Sequence, residues 1–235
     1  GPGAWVPAPN PVGTGLGQTR PLIMLSGDEF RPDGPPALGS VEYADALNEV
    51  RSVGAVSSGA RSPEQTETAR FYSDNAVPQF TRALNKLSTE QGLTLLEAAR
   101  MLAMTAISSG DACIACFDAK YYYSFWRPIT AIRQADRDHN DGTAADTTWE
   151  PLASTPADPS YPGAHSDLSF AAATILADRY GDSTRFTVTS PTLLGAQRTF
   201  SQFSDAATEA GLSRIYAGVH TRTDHDAGRA LGIQV

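Results

Sequence analysis

Beyond the first forty residues, apolar side chains recur every three to four positions, the period of helices buried along one face. "SVEYADALNEVRSVG" opens on Ser40 as a cap and closes at Gly54. In "SPEQTETARFYSDNA", Ser62 takes the N-cap, Pro63 the first helical position and Glu64 the first turn, a strong helix start. "VPQFTRALNKLSTEQG" and the long "LTLLEAARMLAMTAISSGDACIACFDAKYYYSFW" keep the same period, and "SDLSFAAATILADRYG" adds a small-residue helix suited to close packing. The stretch "SPTLLGAQRTFSQFSDAATEAGLSRIYAGVH" predicts one or two more helices. "DHDAGRALGIQV" begins a last helix that reaches the C-terminus without a cap.

Strand-like alternation is scarce and no internal repeat is visible. The pattern predicts an all-α fold, a helical bundle with long loops forming a single domain over residues 41–235. Residues 1–40, with "GPGAWVPAPNPVG" and "FRPDGPPALGS", are too rich in Pro and Gly for regular structure. They are expected to form an extended arm packed on the domain.

Composition adds little to the fold but narrows the partners. With 41% hydrophobic and 19% charged residues the chain is ordinary globular protein. A net charge of −8 argues against nucleic acid or an anionic membrane as partner. No run approaches the roughly 20 apolar residues of a membrane span, so no membrane partner is expected. Secretion or a periplasmic location is favoured, with no signal peptide visible in "GPGAWVPAPN". The sequence is compatible with a homo-oligomer.

In so acidic a chain, any anion site must be a local concentration of cations, and three clusters qualify. In "KYYYSFWRP", Lys120, Ser124 and Arg127 are spaced i, i+4 and i+7, which lies on one stripe if the helix runs through. Pro128 disfavours helix at Arg127 and would put the guanidinium at a helix mouth. In "SYPGAHSDLS", Pro162, Gly163 and Ala164 form a tight turn at a helix start, where backbone N–H groups favour an anion beside His165. In "SRIYAGVHTRTDHDAG", Arg214 and His220 lie six residues apart, and Gly218 offers the break that brings them together. Asp224, four residues past His220, is spaced to orient the imidazole on a continuing helix. Read alone, the first cluster is equally a solvated helix face and the second an ordinary helix cap. His220, Asp224 and His225 also present a clustered metal-ligand set, opposed by the cations nearby.

Taken together, K-x6-R-P, then P-x-x-H, then S-R-x5-H-x3-D resemble the superfamily of vanadium-dependent haloperoxidases and type-2 phosphatidic acid phosphatases. The wording is closer to the soluble haloperoxidase branch, notably "DAKYYYSFWRPITAIR", "YPGAHS" and "SRIYAGVHTRTD". The resemblance runs from about residue 60 to the C-terminus. It implies an acid phosphatase/haloperoxidase type of fold with an oxyanion held by Lys120, Arg127, Gly163, Ala164, Arg214 and His220. His220 would be the vanadium ligand of a peroxidase or the nucleophile of a phosphatase, His165 the acid/base and Asp224 the support of His220. Asp74, in "FYSDNAV", falls where this branch places a carboxylate near the acid/base His. Vanadate is the implied cofactor, with hydrogen peroxide and halide as substrates. The alternatives are a phosphomonoesterase acting on a phosphate ester through a phosphohistidine, and a degenerate oxyanion-binding domain without activity. Both peroxidase and phosphatase need a trigonal-bipyramidal species with negative equatorial oxygens, which fixed cations stabilise.

One departure stands out. The middle motif is usually P-S-G-H, and here it reads Pro162-Gly163-Ala164-His165. Gly163 has no hydroxyl to give a bound oxygen, a loss of about 1.5–3 kcal/mol of anion binding. Other motifs read as structural. Cys113 and Cys116 are expected to be small apolar residues one turn apart on a buried helix, and Phe117 an aromatic core residue rather than a halide contact. Asp136, Asp138 and Asn140 have the alternation of a calcium loop, but Asp141 and Thr147 stand where it needs Gly and Glu. This segment is expected to be a solvated turn.

Overall fold

The computed structural model describes residues 1–235. Its helices are α1 (Val41–Val53), α2 (Pro63–Phe71), α3 (Ala76–Glu90), α4 (Leu95–Tyr123), α5 (Pro128–Arg133), α6 (Ala164–Tyr180), α7 (Phe203–Tyr216) and α8 (Arg222–Gln234). Between α6 and α7 lies one antiparallel hairpin, β1 (Phe186–Thr189) and β2 (Gln197–Phe200), paired Phe186 to Phe200. The bundle is thus mostly helical, as the periodicity predicts. The hairpin is a correction, since helix was expected from residue 190 onward. Its short strands bury Phe186 and Val188 on alternate positions, and Gly195 at φ 83° turns the chain between them. Four-residue segments are too short to show that alternation against the surrounding helical pattern.

The helix starts follow their caps. Ser40 accepts from the Tyr43 N–H, and Ser62 and Thr94 form capping boxes with Gln65 and Glu97. The predicted run of α4 through Trp126 is cut short at Tyr123, because Ser124 adopts a left-handed conformation. The arm takes over from there: Trp126 donates its N–H to Gly3 O and Trp5 to Ser124 O. Strand-like pairing of Ala4 with Phe125 therefore ends the helix, and Pro128 starts α5 rather than stopping α4. By length and composition α4 does pass as a membrane span, at mean hydropathy 1.2, which corrects the expectation that no segment is apolar enough. In this fold it is a core helix that buries Met101, Ala112, Ala115 and Cys116 and carries Asp111 and Lys120 inside.

The centre of the bundle is α6, packed on α4, α7 and α8. Its small residues Ala171, Ala172 and Ala173 are buried, and α8 matches them with glycine. A Cβ on Gly232 would stand 2.1 Å from Asp167 O, and one on Gly228 2.4 Å from Gly163 O. This approach seats the "YPGAH" turn directly against the start of α8. One apolar cluster gathers Phe71, Leu84, Met101, Phe170 and Phe203, and a second gathers Tyr43, Val50, Trp126, Trp149 and Ile215.

Residues 1–40 hold one short 3-10 helix among irregular turns and bends, and that 3-10 helix packs on α4. Their anchor is the buried Asp111, whose carboxylate accepts from the N–H groups of Leu22, Ile23 and Met24 at 2.6, 2.7 and 2.9 Å. Those bonds outweigh burial and hold its carboxyl below the usual range. Asp111→Ala should cost about 2–3 kcal/mol by stranding these donors. Urea melts should show the loss, and limited proteolysis should open the chain between residues 15 and 35; an unchanged digestion pattern would contradict the anchor.

Candidate oxyanion site

The three cation clusters converge, but not by the predicted route. Lys120 and Arg127 do not share one helical stripe, because Ser124 breaks the helix between them. Instead, Lys120 in the last turn of α4 and Arg127 at the N-cap of α5 both reach the loop before α6. Lys120 Nζ donates to Pro159 O at 2.5 Å and Ser160 O at 3.0 Å, and lies 2.9 Å from Asp158 Oδ2. Arg127 Nε donates to Asp158 O at 2.8 Å and Nη1 to Val219 O at 2.8 Å. Arg127 Nη2 stands 3.0 Å from Asp158 Oδ2, yet without the alignment of a hydrogen bond. Lys120 is fully buried and Arg127 nearly so. Burial raises the Asp158 carboxyl, but Lys120 and Arg127 outweigh it and hold the group below the usual range.

Gly218 makes the break expected between Arg214 and His220. It sits at φ 79° just past α7, and the His220 N–H returns to Arg214 O at 3.3 Å. A Cβ there would meet Gly54 O at 2.4 Å. Arg214 Nη1 donates to Tyr72 O, while its Nε is buried without a partner. Burial and then Arg127 push the Arg214 guanidinium down to about 10, leaving it charged near neutral pH.

Asp224 meets His220 differently from the helix spacing first imagined. α8 starts only at Arg222, with Thr221 as N-cap and Asp224 as its capping-box partner. The carboxylate therefore reaches back past the helix start. Its Oδ2 accepts from the Thr221 N–H at 2.9 Å and Ser160 Oγ at 2.6 Å, and lies 3.0 Å from His220 Nδ1. With Nδ1–H given to Asp224, Nε2 keeps its lone pair. That atom lies 3.1 Å from Arg127 Nη1, toward the cations. Burial, reinforced by Arg127, pushes His220 down to about 3, so the ring is neutral.

His165, one residue into α6, lies with Nε2 3.0 Å from the Asp74 backbone carbonyl. Burial and then Arg214 push it down to about 3. The carboxylate of Asp74 pairs instead with Arg82, so its main chain touches His165 and its side chain does not. Gly163 is the N-cap of α6 and its N–H goes to Asp224 O at 2.8 Å. Ala164 begins the helix, where first-turn N–H groups lack intrahelical acceptors. The turn carries a cis Tyr161–Pro162 peptide bond.

Several readings are settled by placement. His225 faces Ser166, with Nδ1 2.9 Å from Oγ, so it does not join His220 and Asp224 as one metal-ligand set. Cys113 and Cys116 are free thiols on α4, and burial pushes the Cys113 thiol up to about 11. Phe117 packs against the arm at Gly13. Asp138 corrects the solvated-turn expectation: it is buried, accepting from the Asn140 N–H and Thr143 Oγ1. Sequence reasoning passed over Asp158 and Ser160. Both precede "YPGAH" in a loop, where no periodicity marks which side chains face inward.

A tetrahedral oxyanion fits these residues on two structural grounds. Arg127 Nη2 and Arg214 Nε are buried without hydrogen-bond partners, an unfavourable state unless a ligand supplies acceptors. A cavity of about 620 Å³, lined in part by Arg70, Ser73, Ser154 and Arg214, opens beside the second of these.

Buried cations thus converge on an oriented imidazole within a helical bundle, and the comparisons give the chain a family. The VCPO second helical-bundle domain matches residues 100–235, and the chain belongs to that family. It is similar to vanadium chloroperoxidase of Curvularia inaequalis, at 28% identity over 181 residues, 64% of this chain and 29% of the relative. The crystal structure of the first bacterial vanadium-dependent iodoperoxidase superposes with TM-score 0.84 and 28% identity, over 99% of this chain and 58% of that one. A holo-type bacterial vanadium-dependent chloroperoxidase, at 16% identity and TM-score 0.74 over 99% of this chain and 59% of that one, shares the fold. The chain thus spans under two thirds of the length of each of these relatives.

The neutral histidines set an acid limit on stability. His165, His220 and His225 are pushed down to about 3, 3 and 4, whereas an unfolded His binds its proton near pH 6.5. Between those values the unfolded chain holds more protons, so the contribution is complete above about pH 6.5 and is lost as pH falls toward 3–4. Urea midpoints measured from pH 7.5 to 4.5 should fall steadily below 6.5. A flat profile would show that these imidazoles are charged in the fold.

Proposed function

We propose that the chain is a vanadate-dependent haloperoxidase, oxidising halide with hydrogen peroxide. The observation that carries this reading is His220 Nε2, oriented by Asp224 and aimed at Arg127, in the region matched by the family. Lys120, Arg127 and Arg214 would hold oxygens of vanadate, joined by the Ala164 N–H at the positive end of α6. Arg127 Nη1 would turn from Nε2 to one of those oxygens as His220 takes up its ligand role. Asp224 and Ser160 keep the ring in the tautomer that ligation needs. Neutral His165 would accept a proton from hydrogen peroxide and return it to the leaving oxygen. Vanadate, when bound, supplies the Lewis acid that activates peroxide toward halide.

The phosphatase reading uses the same residues, with His220 as nucleophile, and one preparation discriminates the two. With orthovanadate, peroxide and bromide, the chain should brominate a phenol-red type dye, and His220→Ala should lower the rate by roughly 10²–10³ fold. Turnover of p-nitrophenyl phosphate that vanadate inhibits would favour the phosphatase. Bromination that survives vanadate removal and is lost to a metal chelator would overturn both.

A further inference from the structure

An ammonium has three protons to donate and no acceptor, and those of Lys120 already face Pro159 O, Ser160 O and Asp158 Oδ2. The same Oδ2 lies between Lys120 Nζ at 2.9 Å and Arg127 Nη2 at 3.0 Å. One carboxylate oxygen therefore stands where two cations would share an oxygen of a bound anion. Asp158 is only 7% exposed, and its own carbonyl is held by Arg127 Nε. Its charge, with that of Asp224, already offsets much of the charge of Lys120, Arg127 and Arg214.

We propose that Asp158 is the specificity-determining residue of this site: an internal counter-ion that an incoming oxyanion must displace from Lys120 and Arg127. The inference rests on the oxyanion reading given above. Binding then becomes an exchange, in which the cations lose a carboxylate oxygen and gain an oxygen of the ligand. Only the difference between the two appears as affinity. A displaced carboxylate left beside the pocket also repels a multiply charged ligand. Gly163 acts in the same direction, since it has no hydroxyl and its N–H is committed to Asp224 O. The site is thereby set to hold inorganic oxyanions loosely and exchange them with solution, and to disfavour the more highly charged ones.

The test is calorimetric titration of inorganic orthophosphate, and separately orthovanadate, onto the full chain and three variants. Asp158→Asn and Asp158→Ser should each bind both anions at least about tenfold more tightly than the unaltered chain, which corresponds to roughly 1.4 kcal/mol. Both variants should melt at lower temperature than the unaltered chain without anion, and phosphate should restore them, because it supplies the missing counter-ion. Arg214→Gln tests the underlying reading and should weaken binding. If Arg214→Gln weakens binding while the Asp158 variants bind no tighter, the oxyanion site stands and the counter-ion proposal falls. If Arg214→Gln leaves binding unchanged, the oxyanion reading fails and takes the proposal with it. Variants that stay unfolded at saturating phosphate would make the ion pair a structural requirement and would also overturn the proposal.

Discussion

Burying Lys120, Arg127 and Arg214 close together is the constraint on which the rest of this structure depends. An unpaired charge inside a protein costs several kcal/mol, and three of one sign repel as well. The fold meets this with oxygens delivered from far along the chain. Pro159 and Ser160 carbonyls face Lys120, Asp158 and Val219 carbonyls face Arg127, and the Tyr72 carbonyl faces Arg214. Loops with no regular structure of their own are thereby fixed by the charges they serve. Arg127 Nη2 and Arg214 Nε still lack hydrogen-bond partners, and the proposed anion site rests on that unmet bonding.

Asp224 joins the two halves of the site. It completes the cap of α8 through Thr221, binds the loop through Ser160 and orients His220, while its backbone carbonyl receives the Gly163 N–H. A helix cap, a turn and an oriented imidazole thus share one residue. The close contact of α6 and α8 makes the sharing possible, since a side chain at Gly228 would meet the turn at Gly163 O and one at Gly232 would push α6 away at Asp167 O.

Much of this was legible in the sequence where local rules apply. Ser62, Pro63 and Thr94 mark helix starts through caps that act over a few residues, and Gly218 signals a turn because positive φ suits glycine. The motif resemblance brings Lys120, Arg127, His165, Arg214, His220 and Asp224 to one place. What sequence reasoning missed is long-range. The end of α4 at Tyr123 depends on the arm pairing Ala4 with Phe125, more than a hundred residues apart. The hairpin of β1 and β2 is too short to show its period. No local pattern marks Asp158, and only folding places its carboxylate within reach of both Lys120 and Arg127. Asp138, expected in a solvated turn, is likewise buried, with its partners Asn140 and Thr143 in its own loop.

The central claim is that His220 and the three cations hold one tetrahedral oxyanion, and a crystal structure grown with orthovanadate tests it most directly. The account predicts density for vanadium at bonding distance from His220 Nε2, with oxygens on Arg127 and Arg214 and the Asp158 carboxylate turned away from Lys120. A pocket that stays empty in saturating vanadate, or vanadate bound elsewhere with Arg127 still on His220, would contradict it.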